Sequence, residues 1–424
     1  MELVVGTNFD DAMIEAVKDY PVKYIFGSHS RSLTGHGRSP SALPDVDGGR
    51  LRDHVSAAHS AGIRFLYAMN SVNLGGNEYR ESFWRGLDSE VDGLVGMGVD
   101  GFIVANPLIL ERIKREHPGA EVAVSSFAKV TYVREIERLA AMGADTIIVH
   151  QSRNRSFRFL KEAARAARRE GARLELIATD VCLWGCPFFE THINLMGEAT
   201  REDGRMPPGS FGYPFLQCSA AMAADPVNLV RSRWIRPEDL GAYERIGIDR
   251  FKISSRRWST EKIVRAVRAY SGGRYDGNLL DIMEYMGGFV AALAPRLGEG
   301  ADEHRAWMDL LGHIRMENSR FPRNWIQFFV DNECEEISCE ECGYCERIAA
   351  AVVSADGRQP AKIEVRVPYE LVLPLPRDCD QPGTKWARPD GVRGRGRLRA
   401  SPTAPRDPGA RSRRRRAPAS RAAG

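Results

Sequence analysis

Seven of the eight cysteines in this 424-residue chain occur in two groups that could bind metal. The groups are Cys182, Cys186 and Cys218 upstream, and Cys334, Cys339, Cys342 and Cys345 near the C-terminus. The C-terminal spacing is C-x4-C-x2-C-x2-C, and cysteines at nearly every third residue of one short loop are typical of a 4Fe-4S cluster. A tetrahedral zinc site more often takes two separated pairs. We therefore predict a 4Fe-4S cluster at this loop, with zinc or free thiols as alternatives.

The upstream group predicts a second cluster. Three cysteines can hold three irons of a 4Fe-4S cluster and leave the fourth iron to another ligand, to substrate or to solvent. An open iron can act as a Lewis acid or a redox contact. His192 follows Cys186 by six residues and is the nearest candidate for a fourth ligand. Zinc with an open site and buried structural thiols are the alternatives.

Up to about residue 256 the sequence alternates short apolar runs with amphipathic stretches. This pattern predicts repeated βα units and a parallel sheet, which must position the cysteines. Eight is the number of strands that closes a barrel. We predict strands at residues 3–9, 23–28, 64–70, 101–107, 121–127, 146–151, 173–180 and 250–256.

Glycines support this assignment, because one precedes each of five predicted strands and predicts a helix C-cap there. They are Gly62, Gly98, Gly143, Gly171 and Gly247. The interval between the last two is much longer than the one before it, so the seventh unit carries an insertion. Cys182 and Cys186 leave directly from the end of strand seven, and Cys218 comes later in the same insertion. Chemistry in a (β/α)8 barrel takes place on the loops at the C-terminal strand ends.

Polar residues at or after other strand ends, among them Gln151, should line the same mouth. The cationic ones suit a carboxylate or phosphate, although each of these residues could instead cap a helix or pair across the barrel rim. The predicted substrate-binding residues are Arg31, His36, Asn70, Asn77, Glu78, Asn106, Arg155, Lys252 and Arg256.

The whole chain is predicted to be an α/β protein with three parts. These are a (β/α)8 TIM-type barrel over 1–275, an α-rich extension with the Cys loop over 276–375, and a disordered basic tail over 376–424. The tail carries 14 Lys and Arg and four Asp, which gives it a net charge of +10. Because the net charge of the whole chain is +4, the rest of the chain carries −6. Such a tail could bind nucleic acid or be a dispensable extension. Cys379 lies in it and is not expected to bind metal.

No apolar run approaches the roughly 18 residues that span a membrane, and the N-terminal sequence MELVVGTNFDD lacks the pattern of a signal peptide. We therefore expect no membrane partner and a cytoplasmic protein, in which reduced thiols are free to bind metal.

Several motifs in order resemble the collagenase-like peptidase family, unclassified peptidase family 32. They are SRSLTGHGRSP, YAMNSVNLGGNEY, CLWGCPFFETH, WIRPEDLGAYERIGIDRFKISSR and YDGNLLDI, and they span roughly residues 1–285. The resemblance implies a barrel with an oxygen-sensitive 4Fe-4S cluster on Cys182, Cys186 and Cys218. Relatives place four cysteines around this cluster, so His192, a C-terminal cysteine or no protein group is the fourth ligand here. Relatives also usually have Asn before the first cysteine, where this chain has Thr179 and Asp180.

Some members of the family are named as proteases, and others resemble oxygen-independent hydroxylation factors that act on RNA bases or quinone precursors. We therefore predict an iron–sulfur enzyme with redox or hydroxylation chemistry on a small molecule or RNA base, supported by an electron donor or a partner subunit. One alternative is a peptidase, although neither H-E-x-x-H nor G-x-S-x-G occurs. Another is a non-catalytic iron–sulfur or RNA-binding partner subunit.

Overall fold

The structure, a computed structural model, describes residues 1–37, 44–204, 212–254, 256–297 and 301–367. The predicted basic tail and Cys379 lie outside the described residues, so nothing structural is said of them.

Eight parallel strands close into a barrel in chain order, because the last strand pairs with both the seventh and the first. This confirms all eight predicted strands and the predicted fold class. The strands are β1 (Glu2–Gly6), β2 (Val22–Gly27), β3 (Arg64–Met69), β4 (Gly101–Val104), β5 (Glu121–Val124), β6 (Thr146–Ile148), β7 (Arg173–Ile177) and β8 (Arg250–Ile253).

Helices follow the first six strands and the last one, and their apolar faces pack on the barrel in one large core. These barrel helices are α1 (Asp11–Val17), α2 (Gly48–Ser60), α3 (Glu81–Gly96), α4 (Pro107–Glu116), α5 (Val133–Ala141), α6 (Phe157–Arg169) and α11 (Thr260–Ser271). The insertion between β7 and β8 holds α7 (Phe189–Thr200), α8 (Gly212–Ala224), α9 (Val227–Arg231) and α10 (Leu240–Glu244).

The extension after α11 adds helices and one antiparallel strand pair. It consists of α12 (Gly287–Leu293), α13 (Asp302–His313), β9 (Ile314–Met316), α14 (Gln327–Asp331), α15 (Cys339–Cys342), α16 (Tyr344–Val352) and β10 (Val353–Ala355). The backbone N–H of Glu284 donates to the carbonyl of Thr179, 2.8 Å away, so the extension is tied to the chain just beyond β7. This attachment brings the extension to the C-terminal face of the barrel.

The five glycines predicted to end helices all have positive φ angles, between 72° and 100°. Gly62 shows the reason: α2 ends at Ser60, Gly62 turns the chain, and the Ile63 N–H donates back to the Ala58 carbonyl at 2.9 Å. This bonding pattern satisfies helix carbonyls that have no partner within the helix, and glycine adopts the required left-handed conformation at little cost.

The barrel interior is a small apolar cluster contributed by seven of the strands. The eighth strand is different, because Lys252 is inside and lies 3.9 Å from the centroid of the Phe26 ring. Its ammonium is 3.3 Å from the Glu175 carboxylate. The interior is therefore filled by side chains, and chemistry is left to its rim. Among the described helices, none has the length and apolar character needed to span a bilayer.

Candidate functional site

The upstream cysteines lie on one face of the barrel although 31 residues lie between Cys186 and Cys218. Cys182 and Cys186 lie in a turn after β7, in which the Cys186 N–H donates to the Leu183 carbonyl at 3.2 Å, and Cys218 lies within α8. Burial raises the pKa of all three thiols, to about 12 for Cys218. Cys218 and Cys186 also raise the pKa of Cys182, and Cys186 raises that of Cys218, so the three thiols lie close enough for their charges to interact. We call these residues the barrel cysteines.

A cavity of about 260 Å³ opens beside Cys182 and Cys186. Its other lining residues are Lys129, His150, Gln151, Ser152, Leu183, Trp184, Gly185, Phe189 and Arg233. Gln151 was predicted from its position at the strand end to line the mouth, and it does. A hydrogen bond from the Gln151 side chain opposes the rise in the pKa of Cys182, because it stabilises the thiolate.

The four C-terminal cysteines line a second cavity together. Cys339 and Cys342 are the ends of the short helix α15, and Gly343, with φ at 58°, turns the chain into α16, where Cys345 lies. The volume of this cavity is about 30 Å³, which is room for about one water molecule. Four thiolates would therefore have to spread apart around a 4Fe-4S cluster here, whereas the larger cavity at the barrel cysteines already has room for a bulkier group.

Trp184 and Arg233 line both cavities and form the wall between them. The Arg233 guanidinium carbon is 3.9 Å from the centroid of the Trp184 ring, and its Nη1 donates to the Cys334 sulfur at 3.6 Å. Arg155 and Arg233 both oppose the rise that burial causes in the pKa of the Cys345 thiol. The wall therefore places positive charge beside the C-terminal cysteines, where it favours thiolates, the form that binds metal.

The donor set at both cavities suits iron and sulfide, because thiolates are the usual ligands of iron–sulfur clusters. Among the described residues, no group of three or more His, Cys, Asp or Glu side chains is arranged to hold a metal ion. A single zinc ion needs all its sulfur ligands at about 2.3 Å from one point. The cysteines of a 4Fe-4S cluster bind different irons, so the residues present fit that group without having to meet at one point.

Most predicted substrate-binding residues lie at the rim in contacts that organise the loops. His36 donates through Nε2 to the His29 carbonyl at 2.8 Å, and Asn70 accepts from the Gly37 N–H at 3.1 Å and donates to Ser125 at 3.0 Å. Asn106 caps α4 by accepting from the Leu108 N–H at 3.0 Å. The two contacts of Asn70 join the loop after β3 to the loops after β2 and β5.

The next loop carries Asn77 and Glu78. Asn77 donates to the Asp203 carboxylate at 2.9 Å and accepts from Arg80 at 3.1 Å. Glu78 is half-buried, and Arg31 is half-buried in the loop after β2.

The three remaining predicted cationic residues are buried. Arg256 donates to Ser28 at 2.8 Å, and Lys252 pairs with Glu175 inside the barrel. Arg155 is 1% exposed and donates to the carbonyls of Val230 and Trp234.

None of the nine predicted substrate-binding residues is among the described residues that line the cavity beside the barrel cysteines, and His192, on α7, does not line it either. Sequence reasoning did not identify Lys129, His150, Trp184, Phe189 and Arg233. His150 carried a signal, because it stands beside Gln151 at the end of a predicted strand. Arg233 carried none, since it lies inside a long insertion whose folding the periodicity of the sequence does not reveal.

The fold and the site define a (β/α)8-barrel protein with two cysteine-lined cavities at one face. Residues 40–176, about a third of the chain, match the model for Peptidase family U32. A protein of Methanocaldococcus jannaschii, named as an uncharacterized protease, is 24% identical over 317 residues, which are 75% of this chain and 85% of that protein. The predicted resemblance to the collagenase-like peptidase family is therefore confirmed.

Two solved structures are also similar. The structure of the U32 peptidase Mk0906 is 19% identical, with a TM-score of 0.45, over 60% of this chain and 93% of that one. The structure of the citrate synthase SbnG is 13% identical, with a TM-score of 0.28, over 42% and 76% of the respective chains.

Proposed function

We propose that this protein is an iron–sulfur enzyme that carries out redox chemistry, such as oxygen-independent hydroxylation, on a small molecule or RNA base at the barrel mouth. One observation carries the proposal. Seven cysteines from distant parts of the chain line or adjoin two cavities at the C-terminal face, and these cavities share the Trp184–Arg233 wall. A purely structural set of thiols would not need two adjoining cavities.

The residues have separate roles in this proposal. The barrel cysteines would hold one 4Fe-4S cluster, and the C-terminal cysteines would hold a second cluster or, since their cavity is small, a zinc ion. A bound cluster supplies an electron-transfer centre or, at an open iron, a Lewis acid. Hydroxylation with water as the oxygen source releases two electrons and two protons from the substrate and water together, so it requires an electron acceptor as the partner.

The cavity beside the barrel cysteines gives the substrate its place. Lys129 and Arg233 provide positive charge on its wall, and Trp184 and Phe189 provide aromatic surface. Such a lining suits a planar or aromatic substrate that carries a carbonyl, carboxylate or phosphate. The aromatic side chains would also exclude water, which strengthens the effect of each charge on a bound substrate.

The test is anaerobic purification followed by counting of iron, sulfide and zinc. We expect about eight irons per chain if both cysteine groups bind clusters, and about four irons with one zinc if the C-terminal group binds zinc. The double variant Cys182→Ala, Cys186→Ala should lose about four irons, whereas the matched control Cys379→Ala should lose none. Colourless protein without iron, or an unchanged iron content in the double variant, would refute the proposal.

A peptidase is the second candidate, and a chain of two contacts favours it. Thr7 Oγ1 is 2.7 Å from His54 Nε2, and His54 Nδ1 is 2.5 Å from Asp11 Oδ1. This is the order of nucleophile, base and orienting carboxylate in a hydrolytic triad. Thr7 and His54 are at most 1% exposed, however, so a peptide bond could not reach them in this conformation.

Peptide hydrolysis by the metal-free protein distinguishes the two candidates. We expect no cleavage of gelatin or of a collagen-like peptide, and no difference between the wild type and Thr7→Val. Cleavage that Thr7→Val abolishes and Cys182→Ala leaves intact would favour the peptidase instead.

A further inference from the structure

His150 occupies a position beside the barrel cysteines that sequence analysis did not single out. It lies just after β6, and its side chain lines the same cavity as Cys182 and Cys186. The ring is 7% exposed, and among the described residues its Nε2 has no hydrogen-bond partner. A buried polar nitrogen without a partner is costly, which points to a group that is present when the site is complete.

The other ring nitrogen is held in place. Nδ1 lies 2.7 Å from the Ser152 hydroxyl and 3.4 Å from the Ser152 backbone N–H, from which it can accept. The edge of the His150 ring meets the Phe189 ring with centroids 4.5 Å apart and planes at 88°. A metal-binding histidine normally donates its second N–H to an oxygen that fixes the orientation of the ring. A serine hydroxyl can accept such a hydrogen bond. Binding of a metal through Nε2 uses the tautomer in which Nδ1–H donates to the Ser152 hydroxyl, the shorter of the two Nδ1 contacts.

We infer that His150, through Nε2, is the fourth protein ligand of the barrel cluster, an inference that rests on the proposed function. The chain offers three cysteines near this cavity, and His150 lines it, whereas His192 does not. A set of three thiolates and one imidazole carries one negative charge fewer than four thiolates. This raises the reduction potential of a cluster, as the replacement of cysteine by histidine does in Rieske centres.

The test uses the full-length, anaerobically purified protein labelled with 15N-histidine. In the reduced wild type we expect hyperfine coupling of a histidine nitrogen to the cluster spin in pulsed electron paramagnetic resonance. The described residues that line the C-terminal cavity include no histidine, so the coupling would report on the barrel cysteines. It should disappear in His150→Ala and in His150→Cys, and persist in His192→Ala.

The variant His150→Cys also serves as a control for loss of the cluster through misfolding. His150→Cys supplies a fourth thiolate, so it should keep the full iron content and shift the midpoint potential to lower values. His150→Ala should lose about one of every four irons of this cluster on mild oxidation. The inference would be overturned, and the proposed function would stand, by the following result. The cluster depends on Cys182 and Cys186, but it shows no histidine coupling, and His150→Ala retains iron as the wild type does. Absence of any cluster on the barrel cysteines would overturn both.

Discussion

At the scale of single residues, Arg233 is the most informative side chain of the site. It stacks on Trp184, donates to the Cys334 sulfur, and lines both cavities. Hydrogen bonds and positive charge at cluster sulfurs stabilise the reduced, more negative state and so raise the reduction potential. In the proposed function, an arginine at this place would raise the potential of a cluster on the C-terminal cysteines, and its contact with Trp184 fixes the position of that ring.

We predict that Arg233→Met lowers the midpoint potential of a C-terminal cluster and destabilises the fold by about 1–3 kcal/mol, the usual cost of losing a hydrogen bond to a charged group. Anaerobic potentiometric titration and urea unfolding measure the two effects. Arg231→Met is the control, because Arg231 lines the same cavity but pairs with Glu346 at 3.2 Å. An equal shift in both variants would show that only net charge matters.

His54 predicts how stability depends on pH. Burial lowers its pKa below 6.5, although Asp11 beside it opposes the shift. The unfolded chain therefore binds a proton more readily than the folded one, so stability falls as the pH drops below about 6.5 and continues to fall until the folded histidine is protonated. The slope from one proton is at most about 1.4 kcal/mol per pH unit. Urea unfolding between pH 7.5 and 5 should show a shallower slope for His54→Gln than for the wild type, and identical slopes would contradict this prediction.

At the scale of elements, the glycines at the ends of helices explain why the barrel could be predicted from sequence. Gly62 needs a positive φ of 72°, and an added side chain there would meet no atom within 4 Å. Glycine is therefore required at position 62 only for its backbone conformation and not for lack of space. Gly93 lies exposed within α3 with equally open space around it, so it is a matched control.

We predict opposite effects of the same change at these two glycines. Gly62→Ala should lower the free energy of unfolding by about 1 kcal/mol because alanine is strained at positive φ, and Gly93→Ala should raise it by up to about 1 kcal/mol because alanine favours the helix. Urea denaturation of both variants measures the difference. If Gly93→Ala instead lowers the free energy of unfolding, the added methyl group must meet a neighbouring atom on this face of α3.

The strands and the insertion followed from periodicity and from these glycines, since both are local signals. The cavity beside the barrel cysteines did not follow, because Lys129, His150 and Arg233 come from three separate segments. Strand-end position predicted Gln151 correctly, but it could not show that Asn106 caps a helix or that Lys252 pairs with Glu175. Whether a polar residue at a rim serves the substrate or the fold depends on tertiary neighbours.

At the scale of the whole molecule, aromatic side chains join the extension to the barrel insertion. Trp234 and Trp325 stack with centroids 5.9 Å apart, and the Arg155 guanidinium carbon lies 4.6 Å from the first ring centroid and 4.8 Å from the second. Glu335 also pairs with Arg153 at 3.2 Å, which holds the start of the Cys loop beside α6. The two cysteine groups are therefore held in fixed positions.

We predict that Arg155 stabilises this joint. Arg155→Ala should cost about 3–5 kcal/mol, because it leaves two buried carbonyls without donors and empties the space between the rings. Arg155→Lys should recover part of this loss, and urea unfolding measures both. Full stability with a raised KM would instead support the substrate-binding role predicted from sequence.

The predicted tail calls for a test of its own. We expect that deletion of residues 376–424 leaves the iron content and the melting temperature unchanged, because these residues include none of the seven cysteines proposed to bind metal. Filter binding of RNA at 50 and 200 mM salt then decides its role: loss of a salt-sensitive affinity would identify a nucleic-acid arm. A drop in iron content would contradict the expectation.

Closure of the barrel through β8 has a consequence for how the protein is made. Because β8 pairs with both β1 and β7, the sheet cannot close until residues 250–253 have left the ribosome. By then Cys182, Cys186 and Cys218 have already been synthesised, whereas the four cysteines beyond residue 333 follow later. Vectorial translation thus presents the first thiols to the cell before the sheet can close, and the second set only after the last strand of the barrel has been made.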